Sequence, residues 1–209
     1  MKPLIIGIAG GTASGKTSIA RKIAANIGGE ATIIKQDNYY YSHPEMTMEE
    51  RDKLNFDHPD SFENELLIEH LGKLRENIAI PMPVFDYKTH LRSNEIITVT
   101  PSQVFILEGI LIFSDKKLRN MLDIKIFIDT DADLRILRRI ERDLKDRKRS
   151  IESVFEQYRT TVRPMHLEFV EPSKRYADII IPTGAQNTVA IDMVIRSIKQ
   201  KLSITPTCK

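Results

Sequence analysis

Eight residues, Gly10-Gly11-Thr12-Ala13-Ser14-Gly15-Lys16-Thr17, match the pattern G-x-x-x-x-G-K-[ST] at every position. Such a string does phosphate chemistry when it joins a strand to a helix. Its glycines let the backbone approach a polyphosphate and aim N–H groups at it, and the helix N-terminus adds a positive dipole end. Lys16 is spaced to reach the outer phosphates, and the Thr17 hydroxyl can ligate Mg²⁺. The flanks supply the required context. Leu4–Ala9 is an apolar run that reads as a buried strand, and Ser18–Ile27 carries apolar residues at Ile19, Ala20, Ile23, Ala24 and Ile27, as a helix does. A glycine-rich turn without a ligand is the alternative; strand, loop and helix in succession argue against it.

Two carboxylates stand just beyond apolar runs. Asp37 follows Ala31–Ile34, where it faces the mouth of the glycine loop. Phosphoryl transfer to a hydroxyl needs a group that orients the acceptor and takes its proton. A helix cap or turn aspartate is equally consistent with that position. Glu108 closes Val104-Phe105-Ile106-Leu107 and precedes Gly109. A carboxylate there can hold Mg²⁺ directly or through water. A capping role is the weaker reading, because a buried strand end is a costly place for an unpaired charge.

Basic residues cluster in one place. Asp131–Lys148 reads as a helix with an apolar stripe of Leu134, Leu137, Ile140 and Leu144. Arg135, Arg138, Arg139 and Arg142 share a face beside it, and Arg147, Lys148 and Arg149 follow. The bland reading is a solvated basic face. We favour a lid, in which two or three arginines close on phosphates and stabilise the transferred charge. Two further strings, Asn55–Phe62 and Val84–Arg92, crowd aspartates, histidines and aromatics into a non-core segment, as a small-molecule pocket does. The five histidines are scattered and thiolate partners are absent, which argues against a histidine–thiolate metal centre.

The elements that must position these groups are legible. Apolar runs at Leu4–Ala9, Ala31–Ile34, Val104–Leu107, Ile124–Ile128 and Ile179–Ile181 alternate with helical stretches. Unbroken runs of this kind fit strands covered on both faces, hence an α/β fold with a mainly parallel sheet. Ligands in such sheets sit at the carboxyl ends of strands, where the loop, Asp37, Glu108, Asp129 and Pro182-Thr183-Gly184 fall. Residues 38–101 form an irregular insertion. It is expected to hold one helix, Glu63–Glu76, and a hairpin of Ile80–Tyr87 and Glu95–Thr100 turning near Ser93-Asn94. Pro81 and Pro83 suggest an edge position for the first of these strands. The 209 residues suit one domain, with a lid region at about 131–170.

Composition narrows the function classes. The chain has 31 basic and 29 acidic residues, a formal net charge of +2, and so no global nucleic-acid signature. Its one cysteine, Cys208, cannot build a disulfide framework, which fits a reducing compartment. No signal peptide and no bilayer-length apolar run are visible, so the expectation is a soluble cytoplasmic protein without a membrane partner.

In order along the chain, the loop Gly10–Thr17, Gln36-Asp37, Phe56-Asp57-His58-Pro59-Asp60-Ser61-Phe62, Asp86–Arg92, Leu107-Glu108-Gly109-Ile110 and Asp129-Thr130-Asp131-Ala132-Asp133 closely resemble the uridine kinase (uridine–cytidine kinase) family. The likeness runs from Ile5 to about Leu202. It implies a P-loop kinase fold with a β-hairpin insertion and a helical lid. It also implies Mg²⁺-dependent phosphorylation of the 5′-hydroxyl of uridine and cytidine by ATP or GTP, in pyrimidine salvage. By the same resemblance Asp37 is the base, Lys16 and Thr17 hold phosphates and Mg²⁺, and Glu108 assists the metal. Asp57 binds the ribose with Arg139 and Gln157, His90 meets the pyrimidine 4-position, and Arg149 contacts the base. Phe85 and Tyr87 belong to the same nucleoside site. Arg142 and Arg147 approach the phosphates, and Pro182–Asn187, with Gln186, lies near the donor base. The family is usually tetrameric, which implies a homotetramer, and is often inhibited by UTP and CTP. Three positions depart from its pattern: Phe85 replaces a common tyrosine, Lys148 a glycine, and Gln186 a common aspartate. Related kinases with another small acceptor, such as phosphoribulokinase or pantothenate kinase, are the nearest alternative. A GTPase-like switch would need N-K-x-D and D-x-x-G strings, and neither occurs. A binding protein without turnover fits poorly with intact Lys16, Thr17, Asp37 and Glu108.

Overall fold

The computed structural model describes residues 2–27 and 31–204; Cys208 lies outside them. In chain order the elements are β1 (Leu4–Gly10), α1 (Lys16–Asn26), β2 (Ala31–Lys35), α2 (Met48–Arg51), α3 (Asn64–Arg75), β3 (Ile80–Asp86), β4 (Leu91–Val99) and β5 (Val104–Glu108). Then come α4 (Lys116–Asn120), β6 (Ile124–Asp129), α5 (Ala132–Lys145), α6 (Ile151–Gln157), α7 (Arg163–Met165), α8 (Glu171–Ser173), β7 (Ile179–Pro182) and α9 (Thr188–Ile204).

The five apolar runs form one parallel sheet in the order β2-β5-β1-β6-β7. Alternation along β1 feeds two apolar layers. Ile5 and Ala9 pack toward α3 and α4, while Leu4, Ile6 and Ile8 pack toward α1 and α9. Each fully buried isoleucine contributes about 1.5–3 kcal/mol relative to exposure. Register then places the chemistry. Ile8 pairs with Glu108, Lys35 also pairs with Glu108, and Gly10 pairs with Ile128. The loop after β1, Asp37 after β2 and the end of β5 therefore emerge at one edge of the sheet.

Residues 38–101 depart from expectation in two ways. A second, short helix, α2, precedes α3 and starts with a reciprocal capping box between Thr47 and Glu50. The hairpin turns at Tyr87–His90, not near Ser93-Asn94. Asp86 makes that turn: its carboxylate accepts from Lys88 N at 2.9 Å and Thr89 Oγ1 at 3.1 Å, and His90 takes a left-handed φ of 54°. Ser93 and Asn94 sit inside β4 instead. Pro83 pairs with Ile96 and Phe85 with Arg92, so Ser93, Asn94 and Glu95 stand opposite Val84 alone, an enlarged bulge. Both strands of this two-stranded sheet are edges, which accommodates Pro81 and Pro83.

Helix α5 reverses the expected sidedness and ends earlier, at Lys145. Leu137 is 58% exposed and Leu144 is 39% exposed, whereas Arg135, Arg139 and Asp143 are buried. Their i, i+4, i+8 spacing puts the three on one face; Arg139 and Asp143 pair with each other, while Arg135 donates to Thr130 O and to His166, which offsets the desolvation that buried charge requires. From Ile151 to Tyr176 the chain stays helical but widens into π-turns at Tyr158–Val162 and His166–Val170. Pro164 and Pro172 follow these two segments closely. Proline lacks the N–H for an i→i−4 bond and crowds the carbonyl there, which favours the wider turn.

Candidate active site

The glycine loop is held by its surroundings. Gly15 adopts φ 98° at the start of α1, a conformation that favours glycine. A Cβ on Gly11 would meet Arg135 Nη1 at 2.6 Å and His166 Cε1 at 3.1 Å, so a side chain there would have to displace the Arg135 guanidinium. Thr130 Oγ1 donates to Ser14 O at 2.9 Å and ties the loop to the end of β6. Lys16 Nζ donates to Gly11 O at 2.9 Å and lies along the loop. Burial pulls the Lys16 ammonium below its ordinary range, while Glu108 and Asp37 oppose that shift. On the other side, Gln36 Oε1 accepts from Leu111 N at 3.0 Å and clamps the turn after β5. Gly109 is required there, because a Cβ would come within 2.3 Å of Gln36 Oε1.

Thr17 Oγ1 donates to Glu108 Oε1 at 2.8 Å. Burial raises the Glu108 carboxyl above its ordinary range, with Lys16 opposing. A hydroxyl and a carboxylate beside a phosphate cradle are hard oxygen donors. They fit Mg²⁺, which keeps water and phosphate oxygens as its remaining ligands.

Two clefts meet at this edge. The first is lined by Thr12, Ala13, Gly15, Lys16, Thr17, Asp37, Glu108 and the arginines Arg138, Arg139, Arg142 and Arg147. The second is lined by Asp57, Phe85, Tyr87, His90, Arg139, Arg149 and Gln157, together with Tyr40, Phe56 and Arg147. Every residue assigned to the nucleoside by resemblance thus lies in one cleft, and Arg139 and Arg147 line both. Asp37 stands at the junction, where Tyr87 OH donates to its Oδ2 at 2.6 Å.

The second cleft has aromatic walls and polar ends. Phe85 packs on Tyr40 with ring centroids 4.9 Å apart and on Phe56 at 5.9 Å. His90 Nδ1 lies 3.2 Å from Asp52 Oδ1, and its ring edge meets Phe56 at 5.0 Å. Burial lowers the His90 imidazole below its usual range. Asp57 is pushed up by burial, with Arg139 pulling the other way. Arg139 donates to Thr12 Oγ1 at 3.0 Å and to Gln157 Oε1 at 2.7 Å, and Arg149 reaches the same Gln157 oxygen. An aromatic slot with a carboxylate, a guanidinium and an imidazole at its rim can orient a planar heterocycle carrying hydroxyls.

Asp143 was not singled out by the sequence, yet it gathers three arginines of α5 and the turn after it. Its carboxylate is fully buried and lies 3.5 Å from Arg139 Nε, 2.8 Å from Arg142 Nη2 and 3.6 Å from Arg147 Nε. Its carbonyl accepts from Arg149 N at 3.1 Å. The i, i+4 pairing of Arg139 with Asp143 is the signal that could have revealed it. His166 was likewise missed, since it lies far along the chain from the loop it touches. Gln186 is exposed and lies outside both clefts; its neighbour Ala185 is the residue that approaches Gly15.

Comparisons with known proteins place the chain among kinases. A uridine kinase of Halalkalibacterium halodurans is 54% identical over 199 residues, covering 95% of this chain and 94% of that protein. A uridine kinase of Clostridium novyi is 50% identical over 204 residues, covering 97% and 98%. Among solved structures, a putative fructose transport system kinase from Silicibacter sp. TM1040 superposes with a TM-score of 0.68 at 19% identity, covering 87% of this chain and 90% of that one. Phosphoribulokinase from Rhodobacter spheroides superposes with a TM-score of 0.63 at 16% identity, covering 87% and 70%. The last two likenesses speak for the fold alone. Residues 5–190 match the family model described as Phosphoribulokinase / Uridine kinase family, and the chain belongs to that family.

Proposed function

We propose that this protein is a uridine/cytidine kinase, transferring the γ-phosphoryl group of ATP or GTP to the 5′-hydroxyl of the nucleoside. The observation that carries the reading is Asp37, which lines the glycine-loop cleft and accepts a hydrogen bond from Tyr87 of the adjoining aromatic cleft. Relatives named uridine kinase at 50–55% identity support that acceptor.

In this mechanism the loop amides and Lys16 hold the β- and γ-phosphates. Thr17 and Glu108 would hold Mg²⁺, which when bound supplies charge neutralisation on the phosphates. Asp57, Arg139 and Gln157 fix the ribose, while His90, Arg149 and the Phe85 face fix the pyrimidine. The 5′-oxygen then attacks the γ-phosphorus as the bond to the β-bridging oxygen breaks. Asp37 accepts the hydroxyl proton, and Arg142 and Arg147 face the charge that develops. The same reading makes residues 1–209 one kinase domain, working in the cytoplasm as a homotetramer, with Gln186 beside the donor base.

A coupled assay with ATP, Mg²⁺ and separate nucleosides tests it. The expected result is UMP from uridine and CMP from cytidine, with ADP released in equal amount. Absence of nucleoside-dependent ADP release from folded protein overturns the reading.

A further inference from the structure

Tyr87 has no need of Asp37 if its task is only to wall the nucleoside cleft. A phenylalanine would supply the same ring, and Phe85 two residues earlier already does. Yet the Tyr87 hydroxyl crosses from one cleft to the other and donates to Asp37 Oδ2 at 2.6 Å, a short bond to a carboxylate. Its ring stands edge-on to Phe85 at 5.6 Å, and Arg147 lies over its face at 4.3 Å. The tyrosine is thus held on one face by the lid, braced by the nucleoside wall, and aimed at the residue that takes the proton.

Resting on the kinase reading above, we infer that Tyr87 is a positioning residue for Asp37. Its hydroxyl fixes the rotation of the carboxylate, so that Oδ1 and the remaining lone pairs are presented to the 5′-hydroxyl. The tyrosine keeps its proton throughout, since burial and the neighbouring Asp37 both push it well above its ordinary range. The transferred proton goes from the 5′-oxygen to Asp37, and the O–P bond forms as the bond to ADP breaks. Arg147 over the ring adds a consequence: the lid must be docked for the ring, and so for the carboxylate, to be held.

Tyr87→Phe tests the inference by deleting one oxygen and keeping the ring. The expected result is a fall in kcat of roughly ten- to a hundred-fold, the usual contribution of a hydrogen bond to a charged group. KM for uridine and for ATP should stay within about two-fold, because the lost contact is made to the base and not to substrate. The same substitution in an Asp37→Asn background should change kcat by less than about three-fold, since the group through which it acts is gone. Unchanged kcat in Tyr87→Phe overturns the inference. A raised uridine KM at unchanged kcat also overturns it, making Tyr87 a nucleoside contact. So does a full-sized effect that persists with Asp37→Asn. In each of these outcomes the wild type still phosphorylates uridine, so the kinase reading stands; a wild type that ignores nucleosides removes that reading first.

Discussion

Arg135 Nη2 donates to His166 Nε2 at 3.1 Å, and both side chains press on Gly11 of the phosphate loop. An arginine offers only donors, so the imidazole must be neutral at Nε2 to accept. Burial, and then the Arg135 charge, push the His166 pKa down from 6.5 to about 4. The unfolded chain therefore binds this proton more readily than the folded one. The stability that His166 contributes is complete above pH 6.5 and is lost as the pH falls toward 4. His166→Gln removes the titration. We expect urea denaturation to show the wild type losing stability relative to this variant between pH 6.5 and 4, by a total on the order of 3 kcal/mol. Parallel curves for the two proteins would show that His166 does not titrate against Arg135.

The proton acceptor can be tested without disturbing the loop. Asp37→Asn keeps size and the capacity to accept the Tyr87 hydroxyl, but it cannot take a proton. Turnover should fall by about two to four orders of magnitude. Donor binding, measured by calorimetry with a non-hydrolysable ATP analogue, should change little. Near-wild-type turnover would remove Asp37 as the base.

Asp143 gathers Arg139, Arg142 and Arg147 around one buried carboxylate. Asp143→Ala leaves Arg139, which is 4% exposed, without that partner. Breaking a buried pair from one side costs about 3–5 kcal/mol, so the urea midpoint should drop sharply. Asp143→Asn keeps an acceptor and should lose less. Arg142→Ala should lose less stability than Asp143→Ala, because Arg139 and Arg147 still face the carboxylate, and it should also lower kcat, because its one-third exposed side chain lines the glycine-loop cleft. Equal stability losses in Asp143→Ala and Arg142→Ala would refute this division of labour.

Phe85 lines the aromatic cleft, and on the proposed reading its side chain faces the pyrimidine without offering it a hydrogen bond. Phe85→Tyr adds a hydroxyl inside the same cleft. One neutral hydrogen bond contributes about 0.5–1.5 kcal/mol net, so the uridine-to-cytidine ratio of kcat/KM should move by roughly a few-fold to ten-fold, with donor kinetics unchanged. Matched titrations of the two nucleosides read the ratio directly, and an unchanged ratio would take Phe85 out of the base pocket.

Lys148 holds a left-handed φ of 54° just before Arg149. Lys148→Gly relieves left-handed strain of about 1–2 kcal/mol and adds back about 0.5–1 kcal/mol of backbone entropy. The variant should therefore gain up to about 1.5 kcal/mol, read as a higher melting temperature, with Arg149 still reaching Gln157. A lower melting temperature would mean that the Lys148 side chain contributes more than its backbone costs.

Local sequence determined the phosphate loop, the five apolar strands and the carboxylates that end two of them. Each of these is written in contiguous residues: a glycine spacing, an unbroken apolar run, an Asp or Glu at its carboxyl edge. Parallel pairing then leaves little choice about the edge where they gather, so Lys16, Asp37 and Glu108 could be placed before any fold was seen. The sidedness of α5 could not. Its apolar stripe of Leu137 and Leu144 satisfies helical periodicity as well as its charged stripe does, and only the tertiary demand for arginines beside the loop decided which face was buried. The hairpin turn was misplaced for a related reason. Ser93-Asn94 and Asp86–Thr89 both carry turn chemistry, and the register of β3 against β4 made one a bulge and the other the turn. Asp143 had a local signal in its i, i+4 spacing from Arg139, and packing decided only that this face is buried. His166 and the Tyr87–Asp37 bond join residues remote in the chain, and their roles come from distances of a few ångströms that tertiary packing creates and local spacing does not encode.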